Sequence, residues 1–127
     1  MISLETFGRT IAPPVNPYSH AARRGRILAV AGQVGIDPRT EEMVPGGADA
    51  QAERALLNMQ AVLTEADASF EDVIMMRIYL ADLADFAAVN KVYTQFFREP
   101  FPARTTVGVQ LPGDLLVELD ALAVLGV

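Results

Sequence analysis

The longest predicted strands of this sequence are apolar on both faces, and this feature constrains the fold more than any other. Side chains of a strand alternate between two faces, yet segments 73–80 and 115–125 carry large apolar residues at both parities. Only two segments have helical periodicity, and two helices cover one face of such a sheet. The other face would be a large apolar patch in water. We therefore expect a homo-oligomer that packs through this bare sheet face.

The loop at 37–48 is an alternative cover for the bare sheet face. A loop lying over a sheet brings backbone N–H and C=O groups that lack hydrogen-bond partners there. A second copy of the chain brings apolar side chains instead, so we favour the oligomer.

The predicted elements follow each other as strands, a helix, a strand, a helix and two strands, which is an α+β chain. Ser69 and Asp72 resemble a capping signal before the predicted strand at 73–80. The segments are a strand at 27–31 that 34–36 could continue, a helix capped by Asp49 with apolar residues to Ala66, a strand at 73–80, a helix capped by Asp85 that carries Phe96 and Phe97, a strand at 104–109 and a strand at 115–125.

Length and composition narrow the class of protein. The 127 residues have the length of a single domain, 1–127, and contain no cysteine and one histidine, His20. A disulfide framework, a thiolate nucleophile and a multi-histidine metal site are therefore excluded. The net charge is −6, which is unlike a nucleic-acid-binding protein. No apolar run approaches the ~18 residues of a membrane-spanning helix, and we expect a cytoplasmic protein without membrane partners.

Three charged residues lie inside otherwise apolar predicted strands: Arg104 in the fifth segment, and Glu118 and Asp120 in the last one. The two carboxylates share one strand face because they are two residues apart. Consecutive strands usually neighbour each other, so Arg104 is expected near Glu118 or Asp120. Such a group is either a structural ion pair or a cleft in which Arg104 binds an anion and a carboxylate handles protons. The spacing alone leaves both interpretations open.

Several short motifs occur in order along residues 13–124, and the most specific is Pro-Ala-Arg followed by a strand with an apolar-Glu-apolar pattern. The motifs are Asn16-Pro17-Tyr18-Ser19, Ala31-Gly32-Gln33, Asp82-Leu83-Ala84-Asp85-Phe86-Ala87-Ala88-Val89-Asn90, Phe101-Pro102-Ala103-Arg104, Leu111-Pro112 and Val117-Glu118-Leu119-Asp120-Ala121. Together they resemble the RidA family (YjgF/YER057c/UK114 family) of reactive-intermediate deaminases.

The resemblance implies a chorismate-mutase-like α+β fold, with a mixed sheet and two helices on one of its faces. Family members are homotrimers in which the sheets form a central barrel, and their clefts lie between subunits. The implied reaction is hydrolysis of 2-iminobutanoate- or 2-iminopropanoate-type imines and enamines to 2-keto acids and ammonia. It needs no metal and no organic cofactor.

The resemblance also implies a role for particular residues. Arg104 would bind the substrate carboxylate, and Glu118 would position or activate the attacking water. Tyr18 and Gly32 would line the cleft, and Asn90 matches another position near it. A partly desolvated Glu118 would have a raised pKa and could act as a general base or acid.

The sequence departs from the family pattern at several positions. Ala31 stands where a serine hydroxyl is common, and Thr106 where enteric relatives have cysteine; both are expected to line the pocket. Gly108 replaces a frequent glutamate. Met76 and Arg77 stand where small polar residues are common. Met76 would make that part of the pocket apolar, and the role of the added cation Arg77 is left open.

The sequence leaves two other functions open and contains two further motifs that resemble functional sites. A non-catalytic protein that binds a keto acid or related carboxylate is one alternative, and an endoribonuclease, disfavoured by the acidic charge, is the other. Ser19-His20 lacks a third catalytic partner, so it is not expected to act as a nucleophile and base. The run Arg23, Arg24 and Arg26 is interpreted as a solvated hairpin or loop rather than an RNA contact.

Overall fold

The computed structural model describes residues 2–126 of the chain. Over this range the chain forms six β-strands, two α-helices and two short 3-10 helices at Phe70–Asp72 and Leu83–Asp85. The strands and α-helices are β1 (Glu5–Phe7), β2 (Ala21–Arg24), β3 (Ile27–Gln33), α1 (Ala48–Glu65), β4 (Val73–Leu80), α2 (Phe86–Tyr93), β5 (Ala103–Gly108) and β6 (Val117–Val124).

The strands form one mixed sheet in the order β1-β2-β3-β6-β4-β5. Only β4 and β5 run parallel, and every other neighbouring pair within residues 2–126 is antiparallel. The last strand, β6, therefore lies between β3 and β4 and separates the two halves of the chain in the sheet. Met76 on β4 is level with Ala121 on β6 and with Arg104 on β5, so these three residues share a sheet face.

Both helices cover one face of the sheet, as predicted. The apolar residues of α1 recur at steps of three and four, and this stripe is buried against β3 and β6. The fully buried strand residues, among them Leu28, Ile78 and Leu119, all belong to this covered face. The predicted α+β class with two helices on one face is confirmed.

The predicted element ends are right in part. The capping box of Ser69 and Asp72 is confirmed. Asp49 is not the N-cap of α1. The helix begins at Ala48, and Gly47 is its N-cap. Asp49 lies in the first turn, where its charge complements the helix dipole. Asp85 is the N-cap residue of α2, although its side chain makes no capping hydrogen bond.

Helix α2 is shorter than the prediction that carried it to Phe97. It ends at Tyr93, and Phe96 and Phe97 lie in the turn that follows. Phe97 is buried there and stacks on the Tyr93 ring, with centroids 4.4 Å apart. The apolar spacing therefore predicted the burial of Phe97 correctly, but it did not predict where the helix ends.

The N-terminal hairpin of β1 and β2 was outside the predicted strands. Arg23 on β2 forms an ion pair with Glu5 at 2.8 Å, and its guanidinium lies 5.4 Å from the centroid of the Phe7 ring. Arg26 donates from Nε to the Leu125 carbonyl at 2.9 Å. The arginine run is thus part of a hairpin, and two of its members make contacts within the chain.

The second sheet face carries large apolar side chains that remain exposed in the single chain. They include Ile27, Ile74, Val107, Leu122 and Val124. The loop at 37–48 does not cover them, because its stem is tied to the helical side: Asn58 of α1 donates to the carbonyls of Val34 and Ile36. We call this exposed surface the bare face. None of the helices within residues 2–126 has the length and apolar character needed to cross a membrane.

Candidate functional site

Arg104 lies at the edge of the sheet on the helix-covered face. Its register with Met76 on β4 directs the side chain towards α2. The central guanidinium carbon is 4.6 Å from the centroid of the Tyr93 ring and 5.5 Å from that of Phe86. Nε donates to the Thr106 hydroxyl oxygen at 2.9 Å. Two aromatic rings and one hydroxyl therefore hold the guanidinium in place.

The outer part of this guanidinium has no partner within residues 2–126. No carboxylate in this range lies within ion-pair distance of Arg104, and only Nε is hydrogen-bonded. Burial lowers the pKa of Arg104, with the Tyr93 hydroxyl acting in the opposite direction, yet an arginine stays charged in proteins. A partly buried cation with two free terminal nitrogens is suited to bind a carboxylate in a bidentate manner.

Two further polar atoms beside Arg104 lack hydrogen-bond partners. The side-chain oxygen of Asn90 and the hydroxyl of Tyr93 are buried, and neither has a partner among the described residues. Phe86, Asn90 and Tyr93 recur at steps of four and three, so they share one face of α2. Buried polar groups are normally satisfied, so two unpaired buried atoms on this face of α2 are unusual, although neither atom is open to solvent in the single chain. We call Phe86, Asn90, Tyr93, Arg104 and Thr106 the arginine group.

Glu118 lies on the bare face, level with Tyr79 of β4. Its carboxylate packs directly over the backbone of Gly32, because a Cβ at position 32 would overlap it. Burial raises the pKa of Glu118, and the nearby charge of Asp120 raises it further. A carboxyl group of this kind holds its proton to higher pH than an exposed glutamate and can exchange protons with a substrate.

Tyr18 and the segment Ala31–Gly32 adjoin Glu118 through Gly32. Tyr18 is half-exposed and lines a small cavity of about 130 Å³ together with Gly32. Ala31 borders a larger recess of about 500 Å³ on the bare face. We call Tyr18, Ala31, Gly32 and Glu118 the glutamate group.

His20 fixes the Pro-rich loop that precedes Tyr18. Its Nε2 is 2.6 Å from the Ala12 carbonyl oxygen, and its Nδ1 is 3.2 Å from the Gln33 side-chain nitrogen. The Ala31 amide donates to the His20 carbonyl at 2.8 Å. These bonds join the loop to β3, which gives His20 a structural role and leaves Ser19-His20 without a catalytic geometry.

The prediction that Arg104 lies beside Glu118 or Asp120 is wrong within one chain. Strand β4 separates β5 from β6, although β5 and β6 are consecutive along the sequence. Arg104 shares the helix-covered face with Met76, whereas Glu118 and Asp120 lie on the bare face. The sheet thus divides the predicted site residues into two groups on opposite sides.

Asp120 has a different cationic partner, Arg77. Arg77 donates from Nε to one Asp120 carboxylate oxygen at 2.8 Å, and the Tyr79 hydroxyl donates to the other oxygen at 2.8 Å. The structural ion pair considered from the sequence therefore exists, but with Arg77 in place of Arg104. The expectation that Met76 makes the pocket apolar is wrong, because Met76 is fully buried in the core.

Sequence reasoning missed the contribution of Phe86, Tyr93 and Tyr79. The first two have helical spacing in the sequence, and aromatic residues at that spacing are usually core. Their position over Arg104 depends on which strand lies under α2. No group of three or more histidine, aspartate or glutamate side chains within residues 2–126 is arranged to hold a metal ion.

The fold and the two groups of side chains define a class: an α+β domain with a mixed sheet, a partly buried arginine at the sheet edge and a desolvated carboxyl on the bare face. A family model described as "Endoribonuclease L-PSP" matches residues 9–125. The chain belongs to this family, which is the RidA (YjgF) family that its motifs resemble.

Relatives in sequence and structure agree with this assignment. A RutC family protein of Pyrococcus abyssi is 47% identical over 111 residues, 87% of each chain. A protein of Dermatophagoides farinae named 2-iminobutanoate/2-iminopropanoate deaminase is 41% identical over 117 residues, 91% of each chain. The crystal structure of RidA from the Antarctic bacterium Psychrobacter sp. PAMC 21119 superimposes with a TM-score of 0.90 at 36% identity, covering 95% of this chain and 99% of that one.

Proposed function

We propose that this protein is an imine and enamine deaminase that hydrolyses small 2-imino acids of the 2-iminobutanoate and 2-iminopropanoate type to 2-keto acids and ammonia. The observation that carries this proposal is the partly buried Arg104, whose terminal nitrogens have no partner within residues 2–126. The name of the Dermatophagoides farinae relative supports the reaction class. No step of this hydrolysis requires a metal or an organic cofactor.

The proposed active form is a homotrimer of single-domain chains in which the arginine group of one copy meets the glutamate group of the next. Two observations support it. The two groups lie on opposite sides of one sheet and cannot meet within a chain. The bare face exposes several large apolar side chains next to the glutamate group, and closed symmetric assembly is the usual way to bury such a patch.

In the proposed site Arg104 binds and orients the substrate carboxylate. Its Nε stays on Thr106, and its two terminal nitrogens each donate one bond to the substrate. The rings of Tyr93 and Phe86 keep the guanidinium from turning. This placement replaces a bimolecular encounter by a defined geometry at the imine carbon.

Glu118 then handles the protons. For an enamine, a proton is added at carbon and one is lost from nitrogen, which gives the imine. The Glu118 carboxylate next takes a proton from water as its oxygen bonds to the imine carbon, and the C=N bond becomes a C–N single bond. That proton passes to the nitrogen, which gives an amino alcohol. Glu118 then takes the hydroxyl proton and passes it to the nitrogen, the C=O bond forms as the C–N bond breaks, and ammonia and the keto acid leave. A raised pKa suits a group that must both accept and return a proton.

Tyr18, Ala31 and Gly32 form the wall on the side of Glu118. Gly32 leaves room for the Glu118 carboxylate, and Tyr18 lines the small cavity that Gly32 borders. Ala31 presents a methyl group and no hydroxyl, so this wall favours a small apolar substituent on the substrate.

The test uses imines generated in solution by an amino-acid oxidase or dehydratase, with their decay followed in the presence of the purified protein. Wild type is expected to accelerate the decay, and Arg104→Ala and Glu118→Gln are each expected to lose roughly a hundredfold or more of the rate. Arg39→Ala and Glu53→Gln remove an exposed charge of the same type elsewhere and serve as matched controls. An equal rate for wild type and Arg104→Ala would overturn the proposal.

An endoribonuclease is the second candidate, because the matched family model is described by that activity. The net charge of −6 opposes it, since RNA binding rests on basic surface. RNA cleavage that survives repurification and disappears in Glu118→Gln would favour this candidate. Thermal stabilisation by 2-ketobutyrate without any imine turnover would favour a carboxylate-binding protein.

A further inference from the structure

Asp120 is held on the bare face by one donor at each of its carboxylate oxygens. Arg77 donates from Nε to Oδ1 at 2.8 Å, and the Tyr79 hydroxyl donates to Oδ2 at 2.8 Å. The Asp120 side chain is 14% exposed, whereas Arg77 is 60% exposed. Arg77 and Tyr79 are two residues apart on β4, so both project from the same face as Asp120. The three side chains form a fixed unit with one charge of each sign.

This unit is next to Glu118. Asp120 follows Glu118 by two residues on β6, which places the two Cα atoms roughly 7 Å apart on one face. From β4, Tyr79 is level with Glu118, and Arg77 is level with Asp120. From β3, the backbone of Gly32 lies against Glu118, and Ile27–Gln33 contains no titratable side chain. On the sheet, the charged and titratable groups that face Glu118 in the described chain are therefore Asp120, Arg77 and Tyr79. Tyr18 lies on the loop that adjoins Gly32, and in the proposed trimer Arg104 of the neighbouring copy faces Glu118 as well, unchanged in every variant compared below.

The charges of this unit act on Glu118 in opposite directions. The negative charge of Asp120 disfavours a second negative charge on Glu118 and favours its protonated form. The positive charge of Arg77 favours the ionised form of Glu118 and offsets Asp120. Asp120 contributes to the raised pKa of Glu118 after burial, which agrees in sign with this geometry.

We propose that Arg77 is a positioning residue for the reaction: with Tyr79 it orients the Asp120 carboxylate beside Glu118, and this pair of charges sets the pH range in which Glu118 can accept a proton. The catalytic part of this inference rests on the proposed function of Glu118. It gives a role to the cation that the sequence left unassigned.

The test measures the proton affinity of Glu118 by carbon NMR of its carboxyl group across a pH series. The Glu118→Gln variant identifies the signal. The variants are Arg77→Gln, Asp120→Asn and the double variant. We expect the titration midpoint to rise by about half a pH unit in Arg77→Gln and to fall by a similar amount in Asp120→Asn. The double variant should lie between them, close to wild type, because both charges of the pair are then absent.

Two controls separate this role from a merely structural one. Arg77→Lys keeps the positive charge without the guanidinium, so its midpoint should return towards that of wild type. Arg39→Gln removes an exposed arginine far from the unit and should leave the midpoint unchanged. Sedimentation of each variant checks that its assembly is the same as that of wild type.

The acid limb of the pH–rate profile should follow the same order as the NMR midpoints. Identical midpoints in Arg77→Gln, Asp120→Asn and wild type would overturn the inference, and so would a fall in Arg77→Gln. If the midpoints follow the expected order but wild type does not accelerate imine hydrolysis, the electrostatic role stands and the proposed function fails. If imines are hydrolysed and the midpoints do not move, the proposed function stands and this inference fails.

Discussion

The arginine group and the glutamate group lie on opposite sides of one sheet, and each contains a partly buried ionisable side chain. Arg104 is on the helix-covered side, where two aromatic rings and the Thr106 hydroxyl leave its terminal nitrogens free. Glu118 is on the bare face, where it packs on Gly32 beside a like charge. Each group keeps a charge partly buried without an ion-pair partner within residues 2–126.

A nearby carboxylate, Asp120, shows how the chain satisfies a charge with partners from its own strands. Asp120 has a donor on each oxygen, supplied by Arg77 and Tyr79. Arg104 and Glu118 could have been satisfied in the same way, and they are not. Buried charges are normally paired because desolvation is costly, and departures from this rule concentrate at functional sites. The comparison teaches that Arg104 and Glu118, unlike Asp120, have no ion-pair partner from their own chain within residues 2–126, which is what the proposed shared site requires.

The largest expected effect comes from mixing two inactive variants. Arg104→Ala and Glu118→Gln are each expected to be inactive, and unfolding and refolding them together at equal amounts should restore activity. Random assembly gives about a quarter of shared sites an intact Arg104 and an intact Glu118, so about a quarter of the wild-type rate is expected. The measurement is the imine decay rate of the refolded mixture.

The control for this mixing experiment is each variant refolded alone, which should stay inactive. Suppose that sedimentation shows mixed assembly but the mixture is as inactive as its components. Each site would then be formed by a single chain, and the proposed sharing of the site between copies would be wrong.

A smaller effect is expected when Gly32 is replaced by alanine. The added methyl group would overlap the Glu118 carboxylate, which is the end of a flexible side chain and can turn away. We expect a loss of about a hundredfold in kcat/KM, since a displacement of about 1 Å at a catalytic group has this effect, with little change in thermal stability. Gly126→Ala is the matched control, because a Cβ there meets open space.

Retention of full activity in Gly32→Ala would show that the position of Glu118 is not critical. The arginine group should be untouched by this change, so the variant should still bind a 2-keto acid. Loss of keto-acid binding would mean that the two groups are not separable.

The smallest expected effect is on stability. Burial raises the pKa of Glu118, so the folded chain holds this proton more tightly than the unfolded chain does. The contribution of Glu118 to stability therefore falls as pH rises from the unfolded pKa, about 4.3, through the folded pKa. Glu118→Gln removes the buried charge, and its Tm at pH 7 should exceed that of wild type, with the difference narrowing below pH 4.

Thermal unfolding of both proteins across pH measures this difference, with Glu53→Gln as the exposed control. A lower Tm for Glu118→Gln at pH 7 would show that Glu118 is compensated in the folded chain, which would remove the contrast with Asp120.

Most of the elements follow from the sequence because their signals are local. The bounds of β4 match the predicted 73–80, and β5 differs from the predicted 104–109 by one residue at each end. The hairpin of β1 and β2 was missed because three and four residues are too few for a period to be recognised. The helix end at Tyr93 was missed because buried aromatic residues continue beyond it without helical backbone.

The candidate residues were also named from the sequence, but their neighbours were not. Three features can be recognised from the sequence alone: the motif around Arg104, the carboxylates of the last strand, and a number of apolar strand faces larger than two helices can cover. The pairing of β6 between β3 and β4 is a long-range choice that no local pattern encodes. This pairing depends on which strands bury the most apolar surface together, and it places Arg104 and Glu118 on opposite faces of the sheet.

By itself, the sequence determined the residue types available for chemistry, the alternation that divides each strand into two faces, and the surplus of apolar surface that calls for a partner. Only the tertiary structure decided that Arg77 binds Asp120, that Phe86 and Tyr93 lie over Arg104, and that Glu118 lies over Gly32. The physical reason is that side-chain alternation is a property of neighbouring residues in the chain, whereas contact between side chains depends on strand order and register, which are settled by packing of the whole sheet against its helices.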